Sequence, residues 1–386
     1  MKWLSSIFLG LLLCLASILH PCLALQGSSS RIESVGTINY QRQLTWLHVD
    51  GRWIKDENGN IVTLRGAGEM SLAYGIYGVT SYDDHSRYLS KHTFEIAAQA
   101  GANIIRFGLN MEDTFNTKYQ DMVKQAVQWC KELGMWCNIE FHAPDSGGGQ
   151  GEYWMPVLLD PEGTGFYEAW EIWAQEFQNE STVCAFGLMS EPPPEGTNGY
   201  TYEELEAMWR PIVVEAIHRI HAINPNVLIF VDNIQWSSDL HQFIENPLNE
   251  PNVVYCLHRY YHFDWYTNHL PYANAYASGD FETGYNLMKQ FYYDKGFKLL
   301  DMGYPVIMEE FGCYREDPES PYEPKTADPN YLIQINETYK LFREWQAGYT
   351  QFSLGGKVEG YTRHYTMLTD DWSTLNEVGE IWRENL

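Results

Sequence analysis

The sequence predicts an α/β fold, a (β/α)8 TIM barrel with a short N-terminal β-hairpin. Apolar strand-like runs alternate with longer segments of helical periodicity, as in parallel β/α units. Eight such runs can be counted, which is the strand number of this barrel. The chain of 386 residues suits one barrel with insertions, because the fold takes about 250 residues or more.

The start of the chain has the pattern of a secretory signal peptide. The apolar run Leu4–Leu19 follows Lys2, and the small residues Cys22 and Ala24 suit cleavage after Ala24. We therefore predict a signal peptide over residues 1–24 and a secreted protein that has no membrane contact once the signal is removed. A retained membrane anchor is the alternative, although the apolar run is somewhat short for a span.

The catalytic domain is predicted to begin after a flexible leader. Residues 25–45 contain a Ser-rich, unpatterned stretch, so we expect the leader there and the barrel domain over residues 46–386. Alternating apolar residues at Leu47–Ile54 and Ile61–Leu64 flank Asp56–Asn60, which contains an Asn-Gly turn signal. This pattern predicts a hairpin that turns within Asp56–Asn60.

The barrel strands and helices follow in order along the chain. The strands are predicted near Val62–Gly68, Asn103–Gly108, Met135–Phe141, Val183–Met189, Val227–Asp232, Val253–His258, Pro305–Glu310 and Tyr349–Leu354. Apolar residues at three-and-four spacing predict helices at Asp121–Leu133, Tyr202–Ile223, Tyr285–Leu300 and Tyr331–Gln346, and a closing helix at Thr374–Leu386. Because barrel strands end on one face, residues that follow different strands should meet in one pocket.

Polar side chains of catalytic type stand at or just after five of these strand ends. They are Arg106 near the second strand, His142 after the third, Glu191 after the fourth, His258 and Tyr260 after the sixth, and Glu310 at the seventh. Taken singly, a strand-end histidine is often only a hydrogen-bonding residue, and Arg106 could belong to a structural ion pair. Their convergence predicts an active site at the carboxyl end of the barrel.

Two glutamates in one pocket suit the hydrolysis of a glycosidic bond. One neutral carboxyl must protonate the leaving oxygen while an ionised carboxylate acts at the sugar carbon. Glu191 and Glu310 lie three strands apart on one rim, where a separation of about 5–5.5 Å would give the retaining geometry. We expect Arg106 to lower the pKa of Glu310, and burial with a neighbouring carboxylate to raise that of Glu191.

Several short motifs carry a resemblance to a known family. They are Leu64-Arg65-Gly66, Asn103-Ile104-Ile105-Arg106, Glu140-Phe141-His142, Met189-Ser190-Glu191-Pro192, His258-Arg259-Tyr260 and Pro305-Val306-Ile307-Met308-Glu309-Glu310-Phe311-Gly312. In this order and spacing the chain resembles glycoside hydrolase family 5, the cellulase and mannanase family, from about Leu47 to Leu386. The resemblance implies a retaining O-glycosyl hydrolase that acts on a neutral β-linked glucan or mannan.

The resemblance also implies roles for individual residues. Glu191 matches the family's acid/base and Glu310 its nucleophile, while Arg106 and Tyr260 match residues that keep the nucleophile ionised. Strand alternation allows only one of two adjacent glutamates into the pocket, and the Phe311-Gly312 context favours Glu310 over Glu309. Glu140 is expected to make a supporting hydrogen bond at most.

The remaining matches concern the substrate. His142 and His258 match polar contacts around the cleaved sugar, and Trp236 resembles an aromatic residue that stacks on it. Trp265 lies in an aromatic segment that either binds sugar or packs locally. Ser190 and Phe352 depart from the family pattern, since they stand where Asn and Trp are usual, so both are candidate determinants of substrate identity.

The composition limits the possible partners. The formal net charge is −26 and no cluster of Lys and Arg interrupts it, so binding to nucleic acid is not expected. We expect a monomer that binds a neutral poly- or oligosaccharide without a cofactor or metal. Five cysteines follow residue 24, an odd number that argues against a complete disulfide framework.

Two other functions are compatible with the sequence. A catalytically silent carbohydrate-binding barrel would account for Ser190 and Phe352. A metal-dependent hydrolase could use His142 and His258, although no helical two-histidine motif supports it.

Overall fold

A computed structural model describes residues 44–74, 89–145, 150–260, 271–312, 330–356 and 365–386. All of them belong to one compact unit, Tyr40–Leu386. The predicted signal peptide, most of the predicted leader and Trp265 lie outside the described residues.

The chain enters the domain through a two-stranded antiparallel hairpin. Its strands are β1, Leu47–Asp50, and β2, Trp53–Asp56, and Asp50 faces Trp53 across the turn. The hairpin is confirmed, but its predicted turn at Asp56–Asn60 is wrong. The chain reverses at Gly51, whose φ of +58° suits a two-residue hairpin turn. The Asn-Gly signal marks a second turn instead, closed by a single Lys55–Ile61 bridge.

Eight parallel strands then close into a barrel in the order β10-β3-β4-β5-β6-β7-β8-β9. They are β3 Arg65–Glu69, β4 Ile104–Asn110, β5 Trp136–Ala143, β6 Val183–Gly187, β7 Leu228–Val231, β8 Val253–Tyr260, β9 Val306–Gly312 and β10 Gly348–Gln351. All eight predicted barrel strands are confirmed, with ends that differ by a few residues. They are found because each is a short apolar run between helical segments.

Helices surround the barrel. They are α1 Ser71–Tyr74, α2 Lys91–Ala100, α3 Thr117–Leu133, α4 Met155–Leu159, α5 Phe166–Glu176, α6 Tyr202–Ile223, α7 His241–Glu245, α8 Pro271–Ser278, α9 Phe281–Tyr292, α10 Lys298–Asp301, α11 Tyr331–Trp345 and α12 Glu377–Asn385. The predicted helix at Tyr285–Leu300 is α9 and α10 joined by a π-helical turn, Tyr293–Phe297. Within the part of the chain that the structure describes, no helix is long and apolar enough to cross a bilayer.

The barrel interior changes from apolar to polar along its axis. Ile104 and Cys256 belong to a buried apolar cluster at the amino end. Two residues further along the same strands, Arg106 and His258 are also fully buried, and strand alternation places them on the same inner face. The polar residues therefore form a layer above an apolar floor, at the carboxyl end where the site lies.

Candidate active site

Arg106 occupies the centre of the polar layer. Its side chain is fully buried and its Nη1 donates to Oε1 of Glu310 at 2.5 Å. Its Nε donates to Glu140, and its Nη2 donates to Oγ of Ser190 at 3.1 Å. Glu140 therefore contributes a buried ion pair, more than the single supporting hydrogen bond that was expected.

Glu310 is held between donors on two sides. Arg106 contacts one carboxylate oxygen, and the hydroxyl of Tyr260 donates to the other at 2.6 Å. His142 and His258 lie 3.9 and 3.8 Å away. Burial would raise the pKa of Glu310, but Arg106 first, then the histidines and Tyr260, lower it to about 2. Glu310 is thus ionised throughout the neutral range.

Glu191 has the opposite electrostatic environment. Burial, and to a smaller extent the charge of Glu310, raise the pKa of Glu191 against the lowering effect of His258. The Nδ1 atom of His258 lies 3.2 Å from Oε1 of Glu191. The backbone of Glu191 has a φ of +52°, and its N–H donates to Oδ2 of Asp232 at 2.8 Å. This hydrogen bond helps to hold an unusual backbone conformation for a residue with a side chain.

The two glutamates face one another across the pocket. A carboxylate oxygen of Glu191, one of Glu310 and a ring nitrogen of His258 lie within 4.8 Å of one another. The short distance between the carboxylates fits the retaining separation of about 5–5.5 Å better than the inverting one of about 6.5–9.5 Å. One carboxyl tends to hold a proton and the other is ionised, as acid/base chemistry on a glycosidic bond requires.

The strand alternation from which only one of Glu309 and Glu310 is expected in the pocket is interrupted at this point. Leu257 pairs with Met308, but His258 pairs with Glu310, so Glu309 is an extra residue in the ladder between β8 and β9. Such a bulge breaks the alternation of side chains. Glu309 therefore also points inward, with Oε1 at 3.5 Å from Nε of Arg106 and 2.6 Å from Nδ2 of Asn138.

His258 is surrounded by carboxylates. Its Nε2 lies 3.5 Å from Asp232 and 3.6 Å from Glu309, on the side of the ring opposite Glu191. Burial alone would lower the pKa of His258, but Asp232 and the glutamates raise it well above its usual range. A cationic His258 therefore separates the acid/base candidate from the carboxylates beneath the pocket.

Ser190 is buried, and a residue that the sequence did not indicate reaches it. The Nε2 atom of Gln150 donates to Oγ of Ser190 at 3.0 Å and lies 3.4 Å from Nδ1 of His142. Gln150 comes from the loop after β5 and has no periodic pattern or motif around it. Only the fold brings it to the pocket.

The aromatic candidates lie on the pocket wall and at its rim. Phe352 lies parallel to His142, with ring centroids 6.4 Å apart, and edge-on to Tyr260. Trp236 is 45% exposed and its backbone N–H donates to the carbonyl of Pro192 at 3.1 Å. Trp236 thus presents an open ring close to Glu191, as a sugar-stacking residue would.

Among the residues that the structure describes, three sets of acids and histidines are close enough to hold an ion. They are Glu140 with His142 and Glu310, Glu191 with His258 and Glu310, and Asp232 with His258 and Glu309. In the two sets that contain Glu310, the guanidinium of Arg106 already neutralises that carboxylate at 2.5 Å. These contacts favour an ion-pair network over a cation site.

Sequence comparison finds similarity to a cellulase family and to several endoglucanases. The sequence profile of the family "Cellulase (glycosyl hydrolase family 5)" matches residues 56–356. Endoglucanase G of Acetivibrio thermocellus is 22% identical over 86% of this chain and 69% of its own length. Endoglucanase A of Evansella cellulosilytica is 25% identical over 52% of this chain. The chain spans only 37% of the length of that second relative.

Solved structures share the fold at low identity. A β-glucanase from Saccharophagus degradans superposes with a TM-score of 0.69 at 19% identity, over 89% of this chain and 94% of its own. An endocellulase from Pyrococcus horikoshii has a TM-score of 0.69 at 17% identity, over 89% and 99% of the two chains. Both confirm the predicted (β/α)8 barrel.

Proposed function

The chain belongs to glycosyl hydrolase family 5, the cellulase family, whose members are O-glycosyl hydrolases, and we propose that it cleaves a β-linked glucan with retention of configuration. The observation that carries this proposal is the pair Glu191 and Glu310. The two carboxylates lie within 4.8 Å, with a raised pKa at Glu191 and a lowered one at Glu310. An acid and a nucleophile need these opposite shifts.

The reaction would proceed in two displacements. In the first, Glu310 attacks the anomeric carbon while Glu191 gives its proton to the leaving oxygen, and a glycosyl ester forms on Glu310. In the second, Glu191 takes a proton from water, and the resulting oxygen nucleophile replaces Glu310 at the same carbon. Each step inverts the anomeric centre, so the product keeps the β configuration.

The neighbouring residues support these roles. Arg106 and Tyr260 each donate to one oxygen of Glu310, so they keep the carboxylate ionised and oriented for attack. The raised pKa of His258 keeps an N–H available beside Glu191 for the moment when Glu191 becomes anionic. His142 would contact the same sugar, since its Nδ1 lies 3.9 Å from Oε1 of Glu310.

We propose a β-glucan rather than a β-mannan as the substrate. The similar proteins are named endoglucanases, and the β-glucanase of Saccharophagus degradans has been solved in complex with cellotetraose. Internal cleavage of a long chain is the corresponding proposal for this protein. The exposed ring of Trp236 would stack on a sugar next to the cleaved bond, and Trp265 stays a candidate for sugar binding.

We further propose that the enzyme is secreted after removal of residues 1–24 and acts as a monomer. An extracellular polymeric glucan does not pass through a bilayer, so a hydrolase that acts on it would have to be exported. The signal-like pattern of residues 1–24 and the acidic composition support this proposal.

Substitution of each glutamate tests the assignment. Glu310→Gln should lower kcat on a soluble β-glucan by several orders of magnitude, because the nucleophile is lost and the fold remains. Glu191→Ala should be nearly as inactive on the glucan. With an aryl β-cellobioside, whose leaving group needs little protonation, azide should restore turnover and yield the β-glycosyl azide, since a small anion attacks the ester without base assistance. Early product, followed by proton magnetic resonance, should be the β-anomer.

The matched control is Glu168→Gln, on the exposed side of α5. It removes one carboxylate and should leave kcat unchanged. Near-normal activity in Glu310→Gln, or initial release of the α-anomer by the unsubstituted enzyme, would remove Glu310 from the nucleophile role.

A further inference from the structure

Gln150 places a carboxamide inside the active site from a loop. It immediately precedes a short 3-10 helix, Gly151–Trp154, and its side chain is partly buried. The Nε2 atom lies 3.0 Å from Oγ of Ser190 and 3.4 Å from Nδ1 of His142. The amide therefore lies between His142, near the end of β5, and Ser190, which follows β6.

The loop that carries Gln150 is hydrogen-bonded to the backbone of the acid/base residue and of its neighbour. The N–H of Gly151 donates to the carbonyl of Glu191 at 3.0 Å, and Nε1 of Trp154 donates to the carbonyl of Ser190 at 2.9 Å. Gly151 is also in close contact with Trp236, since a Cβ there would lie 2.6 Å from the indole nitrogen. These contacts fix the backbone beside Gln150, so the side chain loses little further freedom when it binds a ligand.

Ser190 connects this amide to the nucleophile. Its Oγ accepts from Gln150 and from Nη2 of Arg106, while Nη1 of the same guanidinium holds Glu310. Because one guanidinium contacts both Glu310 and Ser190, a sugar whose reacting carbon meets Glu310 would bring its neighbouring hydroxyl within reach of Ser190 and Gln150. The hydroxyl proton of Ser190 and the second N–H and carbonyl oxygen of Gln150 then provide donors and an acceptor for it.

We propose that Gln150 is a substrate-positioning residue that binds, together with Ser190, the sugar hydroxyl adjacent to the carbon attacked by Glu310. The inference rests on the retaining reaction proposed above. A side chain longer than serine at position 190 would enter the space of the Gln150 amide, whose Nε2 lies 3.0 Å from Oγ of Ser190. The chain thus supplies one carboxamide to this wall, from position 150 rather than from position 190.

A double substitution tests whether an amide introduced at position 190 can replace the amide of Gln150. Gln150→Ala should lower kcat/KM on a β-glucan by about tenfold or more, as loss of a hydrogen bond that strengthens in the transition state predicts. Ser190→Asn alone should also be impaired, because its amide competes with that of Gln150 for the same space. Gln150→Ala combined with Ser190→Asn should be more active than either single variant. The matched control Gln128→Ala, on the exposed face of α3, should match the unsubstituted enzyme.

A substrate comparison separates positioning from a structural role. With an aryl β-cellobioside, Gln150→Ala should show its full loss, and with the analogue that lacks the 2-hydroxyl at the cleaved sugar the loss should nearly vanish. Equal losses on both substrates, or a double variant weaker than both singles, would overturn the proposal.

A binding measurement keeps this inference distinct from the proposed reaction. Calorimetry with cellotetraose compares the Glu310→Gln protein with the double variant that also carries Gln150→Ala. The double variant should have a Kd that is higher by about tenfold. If the unsubstituted protein hydrolyses no glycan but cellotetraose binding still depends on Gln150, the proposed reaction fails while the sugar contact of Gln150 stands. If turnover is normal and neither binding nor kcat/KM changes in Gln150→Ala, the positioning role fails.

Discussion

Individual residues in the pocket differ in charge state because their partners differ. Arg106 and His258 are the buried cations, and they face Glu310 and Glu309, whose pKa values are lowered against the effect of burial. Glu191 contacts only His258 among these cations, and burial raises its pKa. Two glutamates in one pocket therefore have pKa values shifted in opposite directions, because their contacts differ.

The His258 contact gives a prediction with a definite sign. The hydrogen bond and charge of His258 lower the pKa of Glu191, so His258→Gln should raise it. The basic limb of the pH profile of kcat/KM reports deprotonation of the acid in the free enzyme, and it should move to higher pH. The measurement is initial rate at low substrate concentration between pH 4 and 9.

The control for that substitution is His218→Gln. His218 lies on the surface of α6, with a side chain that is 58% exposed, so the basic limb should stay in place. A downward shift of the limb in His258→Gln would mean that a group other than Glu191 sets it.

At the scale of elements, helix α6 shows how a local signal fixes a boundary. Thr201 accepts from the N–H of Glu204, and the Glu204 carboxylate accepts from the N–H of Thr201. Both partners of this capping box can be read in the sequence immediately before the apolar repeat begins. The predicted helix Tyr202–Ile223 accordingly has the observed bounds.

Loss of that cap should be measurable. Thr201→Ala should lower the free energy of unfolding by about 1 kcal/mol, seen as a lower midpoint in urea with unchanged kcat/KM. Ser90 is the matched control, because it stands at the N-cap of α2 without a side-chain capping bond. Ser90→Ala should therefore lower the free energy of unfolding by clearly less than Thr201→Ala does. Equal losses in the two variants would show that the capping hydrogen bond does not cause the Thr201→Ala effect.

The elements that sequence could not predict are those without a repeating pattern. Strand and helix positions follow from apolar periodicity, and strand ends then indicated Arg106 and Glu310. The bulge that turns Glu309 inward inserts one residue and leaves the composition unchanged, so no pattern marks it. Gln150 reaches the pocket only through long-range contacts of its loop with Ser190. The hairpin turn was misplaced because two Gly-containing segments compete there, and the Asn-Gly signal was the stronger of the two.

At the scale of the whole molecule, stability and charge are coupled through pH. The net charge of −26 produces repulsion that grows as carboxyls ionise. Buried acids whose pKa values are raised also make the folded protein less stable as pH rises. Burial raises the pKa of Glu69 to about 7, despite hydrogen bonds from Ser71, and it also raises that of Asp232.

The sign of the buried contribution follows from proton uptake. In the unfolded chain Glu69 loses its proton near pH 4.5, whereas the folded protein keeps it until about pH 7. Between these values the folded state binds more protons, so the free energy of unfolding falls as pH rises. The upper bound for this one residue is about 3 kcal/mol.

We therefore expect Tm to be highest on the acid side of neutrality and to fall towards pH 8, and Glu69→Gln should remove part of that fall. The amide is neutral at every pH and can still accept from Ser71, so the variant should match the unsubstituted protein near pH 4.5 and exceed it at pH 8.

Glu57→Gln is the matched control, because it removes the same charge at an exposed site. The Debye length falls from roughly 10 Å at 0.1 M salt to roughly 3 Å at 1 M, so any gain from Glu57→Gln should disappear in 0.5 M NaCl while the gain from Glu69→Gln persists. Scanning calorimetry at both pH values and both salt concentrations measures this, and a Glu69→Gln gain that salt abolishes would attribute the pH dependence to surface charge alone.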